Sequence, residues 1–238
     1  MIQLILTDFD GTLFPKSGGE LTPPFVQKVK NLTDRGCLFA VNSGRPYSVL
    51  KDMLRPIQNR TVFICNDGTQ IMYKNCLLYK NPVATDAAAG LYSAAAERGL
   101  TPFAALRERT LPVSTDVLHT KGLFGEEIYK LVLIKNDATE TALAILRRLA
   151  VDRGLRVCFE DDLYLEFCNG SADKGVATAF LKQKFGITSQ IAAFGDTAAD
   201  FAMFDEADQV YLMRQSGGIC YPGASVIDSM QDYVVQNF

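Results

Sequence analysis

The 238-residue chain reads as an α/β protein, a Rossmann-like doubly wound parallel sheet with an inserted α+β (αββαββ) module. Three observations predict this. Short apolar runs end in turns bearing Asp, Asn and Gly, as strands buried on both faces do. Segments of helical periodicity separate those runs at both ends of the chain, giving the β-α-β order of a parallel sheet. Between about residues 83 and 170 the order becomes α-β-β-α-β-β, the pattern of a small antiparallel sheet with helices on one face.

Residues 2–7 form the first expected strand, ended by the turn at Asp8, Asp10 and Gly11. Thr22, Pro23 and Pro24 supply a cap and a proline start for a helix carrying Phe25, Val26, Val29 and Leu32, which Gly36 stops. A strand over 37–41 runs into Asn42-Ser43-Gly44-Arg45-Pro46. A helix with Val49, Leu50, Met53 and Leu54 follows, then a strand over 61–65. In the inserted module the pattern predicts a helix over 86–98 and strands over 101–106 and 128–134. A helix over 138–153 and a hairpin of 155–160 with 163–168 about Asp161-Asp162 complete it. Residues 107–127 carry no clear period. The parallel pattern resumes with a helix over 174–185, a strand over 190–194, a helix over 199–206 and a strand over 210–213. The expected division is therefore a core of 1–82 and 171–238 around a module of 83–170.

Composition narrows the function. Hydrophobic residues make up 48% and charged residues 21%, as in a folded globular protein. A net charge of −3 with no long basic run predicts neither nucleic acid nor an anionic membrane as partner. No apolar stretch approaches the roughly 20 residues of a bilayer span, and the first residues lack the pattern of a signal peptide. Six cysteines without C-x-x-C or zinc spacing read as free thiols of a reducing compartment, so the expected location is cytoplasmic. Neither a coiled-coil pattern nor a long amphipathic tail is present, and a monomer or weak dimer is expected.

Open parallel sheets bind ligands beyond the carboxyl ends of their strands. Three expected strands end there in polar clusters: Asp8-Phe9-Asp10-Gly11-Thr12, Asn42-Ser43-Gly44-Arg45, and Gly195-Asp196-Thr197-Ala198-Ala199-Asp200. A fourth cluster, Asp173-Lys174-Gly175, opens a helix. Together they gather carboxylates, an ammonium and a hydroxyl on one edge. Carboxylates in that number repel unless a cation sits among them, and an oxygen-only donor set favours Mg2+. Residues two apart at a strand end project to one side. One carboxylate of the Asp8/Asp10 pair can then attack phosphorus while the other carries protons, with Gly11 turning the backbone out of the way. Taken singly, each motif has a plainer reading as a turn or a solvated charge; their joint occurrence at strand ends carries the weight.

The motifs LILTDFDGTLF, VNSGRP, CNDGT, ADKG and FGDTAADFAMF resemble those of the haloacid dehalogenase superfamily, in particular its Cof-type sugar-phosphate phosphatases. The resemblance implies an Mg2+-dependent phosphatase acting on a small phosphorylated metabolite through an aspartyl-phosphate. It makes Asp8 the nucleophile and Asp10 the general acid/base. Ser43 and the backbone at Gly44 then hold phosphate, and Lys174 bridges phosphate and Asp8. Metal binding falls to Asp8, Asp10 (through its carbonyl) and Asp196, with Asp200 supporting. The inserted module corresponds to the family's cap, and Arg45, Arg107, Arg109, Lys121 and Glu166 are candidates for substrate contact. A phosphomutase of the same fold and a phosphate-binding regulator without turnover are the alternatives.

The chain departs from the pattern in two places. Ala199 stands where the branch usually has Asn, and Met213-Arg214-Gln215-Ser216 replaces Met-Gly-Asn-Ala. Arg214 reads as a surface residue and His119 as an exposed loop residue. Asn66 and Asp67 read as turn formers.

Overall fold

The computed structural model describes residues 2–113 and 126–238. His119 and Lys121 lie outside them. An eight-stranded sheet runs in the order β13-β12-β11-β1-β2-β3-β4-β5, with β1 (Leu4–Thr7), β2 (Leu38–Asn42), β3 (Thr61–Cys65), β4 (Gln70–Tyr73), β5 (Cys76–Lys80), β11 (Ile191–Gly195), β12 (Gln209–Met213) and β13 (Ser225–Ile227). From β13 to β3 every pairing is parallel. The chain winds outward from β1 in both directions, first through β2 and β3 and later through β11 and β12. The crevice where ligands collect therefore lies beyond the end of β1.

Side-chain alternation gives each face its own core. Ile5, Phe39, Val41 and Phe194 point to one face, where α1 (Pro23–Asp34) packs Phe25, Val29 and Leu32 and the C-terminal helix packs Met230 and Val234. Leu4, Leu6, Ala40 and Ala193 point to the other, against Ala177, Leu181, Met203 and Phe204. Helix α1 starts as the sequence predicts, with Thr22 Oγ1 accepting the Phe25 N–H. Helix α2 (Tyr47–Met53) follows β2.

The inserted segment forms a five-stranded antiparallel sheet, β7-β6-β8-β10-β9, from β6 (Thr101–Ala105), β7 (Thr110–Pro112), β8 (Lys130–Ile134), β9 (Leu155–Glu160) and β10 (Tyr164–Asn169). Helices α3 (Thr85–Ala96) and α4 (Glu140–Asp152) cover one face, burying Leu91, Leu146, Leu131, Leu133, Leu165 and Phe167. The other face carries Lys130 and Glu166 toward the larger sheet. Two connecting segments run side by side: Asn81 donates to Ser171 Oγ at 3.0 Å and Asn169 donates to the Pro82 carbonyl at 3.1 Å.

The remaining core helices are α5 (Lys174–Phe185), α6 (Phe201–Phe204) and α7 (Met230–Asn237). Four features go beyond the sequence reading. The β4–β5 hairpin extends the parallel sheet antiparallel, β7 adds a short strand, and β13 with α7 closes the C-terminal side. The helix expected over 199–206 is instead a 3-10 turn over Ala198–Asp200 followed by one turn of α6, because Asp200 folds back to cap the segment. All six cysteines are free, with Cys76 and Cys220 exposed. Among the described residues no helix is long and apolar enough to cross a membrane.

Candidate active site

Strand β1 delivers Asp8 to the centre of the crevice. Its N–H donates to the Phe194 carbonyl of β11 at 2.9 Å, and then the chain leaves the sheet. The following turn is closed by Gly11 N–H on the Phe14 carbonyl (2.7 Å) and Phe14 N–H on the Phe9 carbonyl (2.9 Å). Gly11 has φ of +91°, and a Cβ there would lie 2.2 Å from Asp196 Oδ2. Only glycine allows both that backbone and that approach. Phe9 is buried beneath the site, against Phe14 and under the Arg45 guanidinium.

Lys174 is the first residue of α5, whose cap Asp173 accepts the Val176 N–H at 2.7 Å. The helix start puts the buried ammonium 2.6 Å from Asp8 Oδ1 and 2.6 Å from Asp200 Oδ1. Asp200 is fully buried. Its Oδ2 accepts the N–H groups of Asp196 and Thr197, each at 3.0 Å, together with the Thr197 hydroxyl. Asp200 therefore braces Lys174 and the Asp196 loop at once. Gly195 allows this, since a Cβ there would fall 2.6 Å from Asp200 Oδ2.

Asp8, Asp196 and Asp200 each offer a carboxylate oxygen within 4.8 Å of the others. Both oxygens of Asp196 are buried without a hydrogen-bond partner. Among the described residues only the Lys16 ammonium comes near, 3.0 Å from Oδ2 but not aligned to donate, on a side chain 67% exposed. A buried carboxylate with idle oxygens is costly unless a charge satisfies it. Three buried carboxylates face one buried ammonium, with Lys16 only at the exposed rim, so negative charge is in excess. The donor set therefore fits a hard divalent cation held by Asp8 and Asp196.

Electrostatics agree. Burial pushes the Asp8 carboxyl up to about 7, with Lys174 opposing and Asp200 and Asp196 adding to the rise. Burial alone would push Lys174 down, but Asp8 and Asp200 outweigh it and hold its charge. Of the two carboxylates that grip Lys174, Asp200 accepts from four donors and Asp8 from one.

Asp10 is turned outward, half-exposed, and held by Arg45 through both oxygens (Nε–Oδ2 and Nη2–Oδ1, each 2.8 Å). Arg45, a candidate for substrate contact, is engaged here with the Asp10 carboxylate. Ser43 is buried, and its Oγ accepts the Arg45 N–H at 3.2 Å. Asn66 and Asp67 both have positive φ and shape the turn beside this loop. Asp67 also pairs with Lys130 of the smaller sheet, as does Glu166. Lys130 is absent from the sequence candidates; its signal is a lone lysine in an otherwise apolar strand. Arg107 gives its carbonyl to Gln70 at 3.1 Å while its side chain is exposed, and Arg109 pairs with Glu126. Arg214 pairs with Asp228 at the surface, and Ala199 is exposed.

A doubly wound sheet with an aspartate-bearing turn after its central strand, answered by a lysine and two more aspartates from later loops, defines a class of hydrolases. Residues 5–225 match the haloacid dehalogenase-like hydrolase family, and the chain belongs to it. The protein named "Putative phosphatase YkrA" of Bacillus subtilis (strain 168) is 27% identical over 221 residues, covering 85% of this chain and 82% of that one. TM0651 from Thermotoga maritima superposes with a TM-score of 0.80 at 19% identity, over 100% of this chain and 98% of that one. The subclass IIB sugar phosphatase BT4131 superposes with a TM-score of 0.72 at 14% identity, over 97% and 94%.

Proposed function

We propose that the chain is a Mg2+-dependent phosphoric monoester hydrolase for small phosphorylated metabolites, sugar phosphates foremost, working through an aspartyl-phosphate on Asp8. The observation that carries this reading is the Asp8 carboxylate. It is tethered by Lys174 on one oxygen and stands beside Asp196, whose two buried oxygens lack any hydrogen-bond partner. Similarity to YkrA supports the phosphatase activity, and the shared fold of the sugar phosphatase BT4131 supports the substrate class.

In this reading Asp8 and Asp196 hold the cation, which supplies positive charge to the phosphoryl oxygens. Ser43 and the Gly44 backbone hold those oxygens, and Lys174 neutralises charge between phosphate and Asp8. An Asp8 oxygen forms a bond to phosphorus as the bond to the leaving oxygen breaks, and Asp10 gives that oxygen its proton. Water then attacks phosphorus, Asp10 takes the water's proton, and the Asp8–phosphate bond breaks to release orthophosphate. The Arg45 fork occupies both Asp10 oxygens and must loosen for Asp10 to exchange a proton with the leaving oxygen. Residues 83–170 act as a cap that excludes water and meets the leaving group. A cytoplasmic monomer or weak dimer fits this role.

Metal titration is the direct test. Phosphate release from 4-nitrophenyl phosphate should fall to background in EDTA and return with Mg2+; equal release with and without metal would refute the proposal. Asp10→Asn should lower kcat by roughly two to four orders of magnitude, with a smaller effect on the affinity for orthophosphate. A kcat within a factor of two or three of the parent would remove Asp10 from the proton path.

A further inference from the structure

A second buried lysine spans the two sheets. Lys130 lies on the face of β8 turned away from α3 and α4 and is 6% exposed. Its ammonium donates to the Gly44 carbonyl at 2.7 Å, lies 2.6 Å from Glu166 Oε2 on β10, and lies 3.3 Å from Asp67 Oδ2 after β3. An ammonium has three N–H groups, and these three partners account for them. Two of the partners, Gly44 and Asp67, belong to the larger sheet.

The Gly44 carbonyl shares a peptide plane with the Arg45 N–H, which donates to Ser43 Oγ at 3.2 Å. A trans peptide is rigid, and its C=O and N–H point opposite ways. A lysine that fixes the carbonyl therefore aims the N–H at the serine. Once Ser43 Oγ accepts that bond, its own hydrogen is left to donate elsewhere. The other sides of the turn are tied within the larger sheet, by Asp67 N–H on the Ser43 carbonyl and Asn66 N–H on the Arg45 carbonyl. Within this turn, the Gly44 carbonyl is the group that the smaller sheet holds.

We propose that Lys130 is a positioning residue: when the smaller sheet is seated, Lys130 fixes the Gly44–Arg45 peptide and so presents the Ser43 hydroxyl as a donor to the substrate's phosphoryl oxygens. This rests on the phosphatase reading of the site. Seating of the smaller sheet and capture of phosphate are then one event, because the bond that completes the loop exists only in the seated arrangement.

The test uses the full chain with Mg2+ and measures orthophosphate affinity together with kcat and KM for 4-nitrophenyl phosphate. Lys130→Met should weaken orthophosphate binding and raise KM by about tenfold, the worth of one charge-assisted hydrogen bond, with a smaller change in kcat. In a Ser43→Ala background the same substitution should change both by less than about twofold, since the hydroxyl it positions is gone. A structural loss of docking would act regardless of the residue at 43. Lys130→Met leaves Asp67 and Glu166 facing each other without a cation, so Lys130→Met/Glu166→Gln repeats the measurement with one buried charge removed. Orthophosphate affinity within twofold of the parent in either variant, or losses that multiply in the Ser43→Ala background, would overturn the proposal. A parent protein that releases no phosphate in Mg2+ would instead defeat the phosphatase reading and take this proposal with it.

Discussion

Asp8→Asn should abolish phosphate release, lowering kcat by roughly four orders of magnitude or more, while making the metal-free protein more stable above neutral pH. The first effect follows from removing the attacking oxygen. The second follows from burial. The Asp8 carboxyl is pushed from 3.8 up to about 7 in the folded protein. A group whose folded value lies above its unfolded value holds a proton in the folded state that the unfolded chain has already lost. Stability therefore falls as pH rises from about 4 to about 7, by an amount on the order of a few kcal/mol, and the deficit is complete above that window. Asparagine carries no such deficit. Thermal unfolding in EDTA should give similar midpoints for parent and variant near pH 4, and a higher midpoint for the variant at pH 8. Mg2+ should raise the parent's midpoint at pH 8 more than the variant's, because the cation offsets the charge that burial penalises. If the variant were the less stable protein at pH 8 in EDTA, the account of the carboxylate cluster would be wrong.

Lys174→Met should produce the largest loss of stability of any single substitution in the site. It leaves Asp8, Asp196 and Asp200 buried together with only the exposed Lys16 ammonium beside them. Removing one partner of a buried ion pair costs about 3–5 kcal/mol. For a chain of this size that corresponds to a fall in melting midpoint of roughly 6–20 °C. Turnover should fall by about 10² to 10³, as when a charge-stabilising donor is removed from a reacting centre. Saturating Mg2+ should recover part of the stability and little of the turnover, since the cation neutralises charge but does not replace the hand on Asp8 Oδ1. A variant that melts within about 2 °C of the parent in EDTA would show that Lys174 is not the counter-charge the geometry makes it.

Much of this site was legible before any coordinates, for a physical reason. Strands buried on both faces must be apolar, so the first polar residues after each run mark the sheet's carboxyl edge. Asp8, Ser43 and Asp196 could be placed on one rim by that argument, and Asp173-Lys174 joined them as the start of the helix that follows the inserted module. Their roles in the chemistry came from likeness to a family, not from spacing. The elements that escaped notice gave weak local signals. The β4–β5 hairpin turns through Lys74 and Asn75, both at positive φ, where a two-residue turn usually carries Asn-Gly or Asp-Gly. Strand β13 has three residues, two of them exposed, and so shows no apolar run. The partner choices were also hidden: nothing in the sequence says that Arg45 closes on Asp10 or that Lys130 reaches across to Gly44. Those contacts depend on how two sheets sit against each other, which local periodicity does not encode.

The paired connections between the sheets limit how that seating can change. A single covalent thread would let the smaller body swivel and twist freely. Two connections tied to each other by Asn81–Ser171 and Asn169–Pro82 should resist relative twist more than a single strand of chain would. If the smaller sheet lifts and reseats, as the proposal for Lys130 requires, this paired connection should bring Lys130 back to the same Gly44 carbonyl.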